Sequence, residues 1–165
     1  MTDSEHWARY YQVTVDRPAW PTVRFAIERF AAEPVARPDA GRRFAVDLGC
    51  GAGRDARELL SAGCRVLAID REPGAIAVLE AATPHELRPA LAGQVTDLAD
   101  VAIPACDLVN ASLCLPFLTP EPYWATLDGF EVEHWSEREE ETQTALGEPH
   151  HLHLVELVAR RVARG

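Results

Sequence analysis

The sequence has few basic residues and no long apolar run. Its 16 lysine and arginine residues are outnumbered by 26 aspartate and glutamate residues, which gives a net charge of −10. Nucleic-acid phosphates and anionic membranes both attract clustered positive charge, so neither is an expected partner. No apolar segment approaches the length of a membrane span, and the polar residues 1–6 predict no signal peptide or anchor. We therefore expect a cytoplasmic protein.

Cysteine is scarce, and its spacing does not suggest a metal site. The four cysteines include no C-x-x-C pair, and each lies in an apolar context, which predicts reduced packing residues: Cys50, Cys64, Cys106 and Cys114. His151 and His153 would share one face of a strand, but a zinc site needs at least a third ligand. No metal is predicted, and these histidines are interpreted as solvated strand residues. At 165 residues the chain is expected to form a single domain.

The most informative segment is a predicted strand that runs into a glycine-rich turn. Residues 44–48 are apolar apart from Asp47, and Gly49, Gly51 and Gly53 follow before helix-forming residues resume. Glycine allows a tight turn and lets a ligand approach the bare backbone, while the helix N-terminus offers unpaired N–H groups. The spacing Gly-x-Gly-x-Gly differs from the dinucleotide fingerprint Gly-x-Gly-x-x-Gly.

A second predicted strand that ends in an acidic residue follows closely. Residues 65–70 form an apolar run that ends at Asp70, as in a buried parallel strand. An acid at that position can accept hydrogen bonds from both ribose hydroxyls of an adenosine. A helix over 55–62, ended by Gly63, would connect the two strands into one βαβ unit. Asp47 or Asp70 alone is equally well explained as a capping or surface residue. The presence of both, in register with the glycines, favours a ligand site.

The rest of the chain continues the alternation of helices and strands. An α/β plan is predicted, with a helix capped by Thr22 before the first strand and an antiparallel hairpin at the end. The expected further elements are a helix over 72–82, strands over 91–95 and 106–111, a short helix over 123–127, and strands over 130–133 and 152–162. Six glutamates between Glu131 and Glu141 are expected on a solvated strand face and the loop after it.

Taken together, these motifs resemble class I S-adenosylmethionine-dependent methyltransferases, and most closely the small group that methylates tellurite and thiols. The motifs that carry the resemblance are Asp47-Leu48-Gly49-Cys50-Gly51-Ala52-Gly53-Arg54-Asp55, the strand end at Asp70, Asp97-Leu98 and Asp107-Leu108-Val109-Asn110-Ala111. The resemblance implies a Rossmann-like, doubly wound α/β fold with a mainly parallel sheet and a C-terminal antiparallel hairpin. It also implies S-adenosylmethionine as the cofactor.

The same resemblance implies a set of cofactor-binding residues. The turn with Asp47, Gly49, Cys50, Gly51 and Gly53 would hold the methionine part, and Asp70 the ribose. Arg71 would flank the adenine, Asp97 and Leu98 would meet the adenine edge, and Asn110 and Ala111 would line the sulfonium end.

An N-terminal lid is expected to carry Tyr10, Tyr11 and Arg17, with Arg17 pairing a carboxylate. The alternative is that Trp7, Tyr10 and Tyr11 only pack a surface helix.

One departure from such enzymes is large. Residues 113–129 are the whole connection between the fourth strand and the next, which is too short for another helix and parallel strand. We therefore expect an abridged single domain, with a lid and helix over 1–43, a cofactor-binding core over 44–112 and a shortened C-terminal part over 113–165. The exposed sheet flank would be covered by the closing hairpin sliding in beside strand four, or by a second chain. The homodimer is preferred because apolar residues crowd this segment: Leu113, Leu115, Phe117, Leu118, Tyr123 and Trp124.

Three functions compete. The preferred one is an enzyme that transfers methyl groups to a small acceptor such as a thiol, a chalcogen or metalloid species, or a phenol. The second is a non-catalytic protein that binds S-adenosylmethionine or S-adenosylhomocysteine. The third is an NAD-dependent oxidoreductase, which lacks a glycine at the required offset and for which Asp47 is unexpected. No catalytic residue is predicted, because methyl transfer mainly requires the nucleophile and the methyl group to be held in line.

Overall fold

A computed structural model of the chain describes residues 3–31, 41–114 and 130–161. Its helices and strands follow the predicted order closely. The helices are α1 (Asp3–Thr14), α2 (Pro21–Ala31), α3 (Arg54–Ser61) and α4 (Pro73–Ala82). The strands are β1 (Phe44–Leu48), β2 (Arg65–Asp70), β3 (Leu91–Val95), β4 (Leu108–Asn110), β5 (Phe130–Gln143) and β6 (Pro149–Arg161). The predicted helix over 123–127 and the apolar residues of that connection from Leu115 onward lie outside the described residues.

The first four strands form one parallel sheet in the order β3-β2-β1-β4. In the register of this sheet Asp47 of β1 pairs with Asn110 of β4, and Leu48 pairs with Ile69 of β2. Because the strands are parallel, their carboxyl ends meet at one edge, where ligands of open α/β sheets bind. The predicted parallel α/β core is confirmed.

The direction in which the strands are added places the helices. The chain moves from β1 to β2 to β3 in one direction, so right-handed crossovers put α3 and α4 on the same face. Residues pointing to that face bury the main core together with α2, and this cluster includes Val23, Ala45, Leu59, Val66 and Leu79. Val46, Leu48 and Ile69 point to the opposite face. There the segment after β3 contacts them through Leu98, Val101 and Ile103.

The hairpin of β5 and β6 is a separate two-stranded antiparallel sheet. It packs on α2, where Val158 joins a buried cluster with Ala26 and Phe30, and Arg29 forms an ion pair with Glu133 at 2.6 Å. Among the described residues the hairpin pairs only with itself. The hairpin was expected to slide in beside strand four; it does not pair with β4, but Leu108 of β4 packs against the cluster that contains Val158.

Both hairpin strands are longer than predicted. The sequence placed the end of the glutamate run in a loop, whereas β5 continues to Gln143 and the run lies wholly within it. Histidines on β6 provide hydrogen-bond partners for this run. His151 Nδ1 lies 2.7 Å from Glu141 Oε1, and His153 Nε2 lies 2.7 Å from Glu137 Oε1. Hydrogen bonds between side chains of the two strands stabilise the pairing that a run of glutamates alone would weaken.

Candidate functional site

The turn after β1 has the backbone geometry that its glycines predict. Gly49, Gly51 and Gly53 all have positive φ angles, of 62°, 52° and 77°. A side chain at Gly49 would overlap Cys114, and one at Gly53 would overlap Leu79, so these two glycines are required by packing. At Gly51 a Cβ atom would lie 3.6 Å from the ring of Tyr11, in ordinary contact. Of the three turn glycines, Gly51 is thus the one at which a Cβ atom would not overlap a neighbouring side chain.

Asp70 ties this turn to the end of β2. The backbone N–H of Gly51 donates to its Oδ2 at 2.9 Å, and that of Glu72 donates to its Oδ1 at 3.0 Å. The carboxylate is only 7% exposed. Each carboxylate oxygen has a second lone pair, so Asp70 can hold the glycine turn and still accept hydrogen bonds from a ligand.

A buried polar network lies beneath the turn. The Asn110 side-chain amide donates to Asp47 Oδ1 at 2.7 Å and to Asp55 Oδ2 at 3.2 Å. Asp55 also accepts the backbone N–H of Trp20 at 2.9 Å. Asp47 Oδ2 is buried and has no hydrogen-bond partner among the described residues. A buried oxygen without a partner is costly, which points to a ligand that supplies the missing donor.

Burial and a neighbouring carboxylate disfavour the charge of Asp47. Burial, and then the charge of Asp55, raises the pKa of Asp47 to about 8, and the hydrogen bond from Asn110 only partly opposes this. Both effects favour the protonated form of Asp47. A cation placed beside it would lower its pKa and displace the proton.

These residues line one open cleft of about 880 Å³ at the carboxyl edge of the sheet. It brings together most of the residues predicted to bind cofactor or substrate: Tyr10, Tyr11, Arg17, Asp47, Gly49, Cys50, Gly51, Asp70, Arg71, Asp97 and Leu98. Three other predicted residues do not line it. Gly53 packs against Leu79, Asn110 lies below bonded to Asp47, and Ala111 packs with the cluster around Leu48.

The aromatic residues of α1 form one wall of the cleft. Tyr11 is 4% exposed and packs with Ala52 and Ala75, while the ring of Trp7 stacks on it with centroids 6.0 Å apart. Burial raises the pKa of Tyr11 above its ordinary value, and the charge of Asp70 adds to this. The rings of α1 therefore pack against the fold and also border the cleft, and the role of α1 as a lid stays a prediction.

Several lining residues escaped the sequence analysis. On the core, Arg54 lies over the ring of Trp20 at 4.2 Å from its centroid, and Leu113 has a φ angle of 59°. A non-glycine residue in that conformation is strained, as is common at ligand sites. The hairpin contributes a further wall that includes Arg138, Glu140 and His150. Arg54 and Asp55 directly follow the last glycine and could have been noticed; nothing local in the hairpin sequence signals its position.

Cys50, Cys64 and Cys114 are buried, and the histidines of β6 are exposed. Burial raises the pKa of the Cys50 thiol and that of the Cys114 thiol, the latter to about 12, so both are neutral packing groups. His151 is exposed, and its hydrogen bond with Glu141 raises its pKa. Within the described ranges no three histidine, cysteine or acidic residues are grouped to hold a metal ion. In the same ranges no helix is long and apolar enough to span a membrane.

Comparison with known proteins identifies the fold. Residues 45–131 match a family model described as a methyltransferase domain. No curated protein matches the chain.

Solved structures agree with this match. A candidate RNA methyltransferase from Pyrococcus horikoshii is similar over 100% of this chain and 99% of its own, with 15% identity and a TM-score of 0.60. TehB from Haemophilus influenzae is 16% identical over 76% of this chain and 61% of its own, with a TM-score of 0.57. The glycopeptide N-methyltransferase MtfA is 16% identical over 88% of this chain and 78% of its own, with a TM-score of 0.54, and was also solved with S-adenosylmethionine. At these identities the similarity shows the fold alone.

Proposed function

The chain belongs to the methyltransferase domain family, and we propose that it transfers a methyl group from S-adenosylmethionine to a small-molecule acceptor. The observation that carries the proposal is the meeting of the Gly51 turn, Asp47 and Asp70 in a single cleft. They lie at the carboxyl ends of adjacent parallel strands, where α/β proteins bind nucleotide-like ligands.

The residues present fit this cofactor. The bare backbone at Gly51 leaves room for a ligand, and the partnerless Oδ2 of Asp47 suits the positive charge of the methionine part. Asp70 would accept the ribose hydroxyls, as its free lone pairs allow. Asp97, Leu98 and Arg71 border the cleft and would surround the adenine.

Bound S-adenosylmethionine supplies a methyl group on a positively charged sulfur, which a nucleophile displaces in line. The protein has to hold the acceptor about 3 Å from that methyl group and keep competing water away. The rings of Trp7 and Tyr11 on α1 cover the turn and would exclude water. Cys50 and Cys114 stay protonated and would take no part as nucleophiles.

A small acceptor is favoured over a nucleic acid by the charge of the protein. A net charge of −10 repels a phosphate backbone. The similarity to a candidate RNA methyltransferase rests on 15% identity and bears on the fold only. Within small molecules we propose a thiol, a chalcogen or metalloid species, or a phenol, as in the tellurite- and thiol-methylating group. Release of S-adenosylhomocysteine on incubation with each acceptor class tests this, and release with none would favour the non-catalytic binding protein.

We expect the affinity for S-adenosylmethionine to rise with pH. Asp47 has a raised pKa of about 8 in the free protein, and a cationic ligand favours its charged form. Binding below that pKa must therefore expel a proton, and affinity should increase up to about tenfold per pH unit between about pH 6 and 7.5. Calorimetric titrations in buffers of different ionisation enthalpy would measure the number of protons released on binding.

The control for this pH effect is Asp47→Asn, which removes the titrating group. Any change caused by the amino group of the ligand itself would persist in that variant. A pH dependence equal to that of the parent would show that Asp47 is not the group that titrates.

We also propose a homodimer, because the segment after β4 is short and apolar. Leu113 is half-buried at the cleft, and the other apolar residues of the connection lie outside the described part of the chain. Light scattering at micromolar concentration is expected to give twice the mass of 18.2 kDa. A monomeric mass that does not shift on dilution would contradict the dimer.

A further inference from the structure

The hairpin borders the cleft with residues of both strands, and one of its faces contributes Arg138 and Glu140. In its register Arg138 pairs with Leu154, Glu140 with Leu152 and Thr142 with His150. Side chains of directly paired residues lie on the same face, and alternate residues along each strand share it. We call these six residues the inner face: Arg138, Glu140, Thr142, His150, Leu152 and Leu154. Leu154 is 3% exposed and fixes this face toward the body of the protein, and the other five line the cleft.

The glutamates of the opposite face contact histidines within the hairpin. Glu137 lies 2.7 Å from His153, and Glu141 lies 2.7 Å from His151, which is also 3.7 Å from Glu139. On the inner face, by contrast, neither Arg138 nor Glu140 forms an ion pair with any described residue. Alternate residues of a strand lie on the same face. The cleft wall thus carries one positive and one negative side chain at neighbouring positions of one face.

Several acids on the core side of the cleft already accept hydrogen bonds from the protein. Asp70 accepts two backbone N–H groups, and Asp97 accepts the N–H of Ala99 at 3.0 Å. Asp55 is bonded to Trp20 and Asn110. Arg138 and Glu140 of the hairpin line the same cleft without an ion pair to any described residue, so both remain available to a second ligand.

We propose that the inner face is the acceptor-binding wall, and that it selects a small zwitterionic molecule. Arg138 binds the carboxylate of the acceptor, and Glu140 binds its ammonium group. Two neighbouring opposite charges match an amino-acid-like compound, because its carboxylate and its ammonium group can each contact the complementary charge. The proposal rests on the methyltransferase function, and it names the class of substrate for the same cleft.

Binding to protein saturated with S-adenosylhomocysteine tests the proposal without requiring turnover. Four thiols that differ only in charge are suitable probes: cysteine, 3-mercaptopropionate, cysteamine and 2-mercaptoethanol. NMR titration is expected to rank cysteine tightest and neutral 2-mercaptoethanol weakest. Partly exposed ion pairs of this kind should each improve affinity about two- to fivefold.

Two variants assign the charges. Arg138→Ala should remove the advantage of the carboxylate and leave cysteamine unaffected, whereas Glu140→Gln should remove the advantage of the ammonium group and leave 3-mercaptopropionate unaffected. Glu139→Gln is the matched control, since Glu139 neighbours both residues but does not line the cleft. It should change none of the four affinities.

The outcomes distinguish a failure of the proposed function from a failure of the acceptor-binding wall. Failure of S-adenosylhomocysteine to bind would contradict the proposed function itself. Normal binding of S-adenosylhomocysteine, together with probe affinities that ignore charge or that both variants leave unchanged, would overturn the acceptor wall alone. Absence of binding by all four probes to the loaded protein would overturn it equally.

Discussion

Gly51→Val is expected to abolish binding of S-adenosylmethionine. The backbone of Gly51 has a φ angle of 52°, and a Cβ atom there would stand 3.6 Å from the ring of Tyr11. The two further carbons of valine would have to enter the space between the turn and that ring, which is where a ligand would approach the backbone. Calorimetric titration of the purified variant measures the loss.

The substitution also strains the backbone, so a control must separate strain from blocked space. A side chain in the left-handed region costs about 1–2 kcal/mol in folding free energy. Gly63 also has a positive φ angle, of 86°, with nothing within 4 Å of a Cβ atom and no part in the cleft. The Gly63→Val variant should also be less stable than the parent, and its affinity for S-adenosylmethionine should be unchanged. If Gly51→Val binds within a few-fold of the parent, the glycine serves the turn alone.

Asp70→Ala is expected to weaken binding by about 1.5–3 kcal/mol, which is roughly 10- to 150-fold in affinity. The loss has two physical sources, because the carboxylate would accept the ribose hydroxyls and already holds the N–H groups of Gly51 and Glu72. Titration with S-adenosylhomocysteine, alongside a thermal unfolding curve, measures binding and stability separately.

Asp70→Asn distinguishes these two sources. The asparagine oxygen can still accept a backbone N–H, but the NH2 group only donates and cannot replace the second carboxylate oxygen as an acceptor. Intermediate binding with near-parental stability would assign the ribose role to the carboxylate. Unchanged affinity in Asp70→Ala, with the fold intact, would refute that role.

The parallel core could be predicted from sequence because its signals are local. The apolar run before Asp47, the glycines and the apolar run before Asp70 fix β1, the turn, α3 and β2 to within a residue or two. The family match over residues 45–131 confirms this interpretation. That no long crossover follows β4 stays a prediction, because residues 115–129 lie outside the described part of the chain.

The rest of the cleft depends on contacts between distant residues. Asn110 was predicted to line the ligand, but pairing of β4 with β1 places its amide between Asp47 and Asp55, more than fifty positions away. The hairpin strands were predicted too short because a run of glutamates alone favours a loop. Its histidine partners on the other strand are known only from the fold. Its docking on α2, which brings Arg138 and Glu140 to the cleft, has no local signature either.

Calorimetric titration of the full chain with S-adenosylmethionine, S-adenosylhomocysteine and NAD tests the central claim most directly. We expect single-site binding of S-adenosylmethionine and S-adenosylhomocysteine and no binding of NAD, because the cleft contains Asp47 and a Gly-x-Gly-x-Gly turn. Binding of NAD in place of S-adenosylmethionine, or binding of none of the three by folded protein, would contradict it.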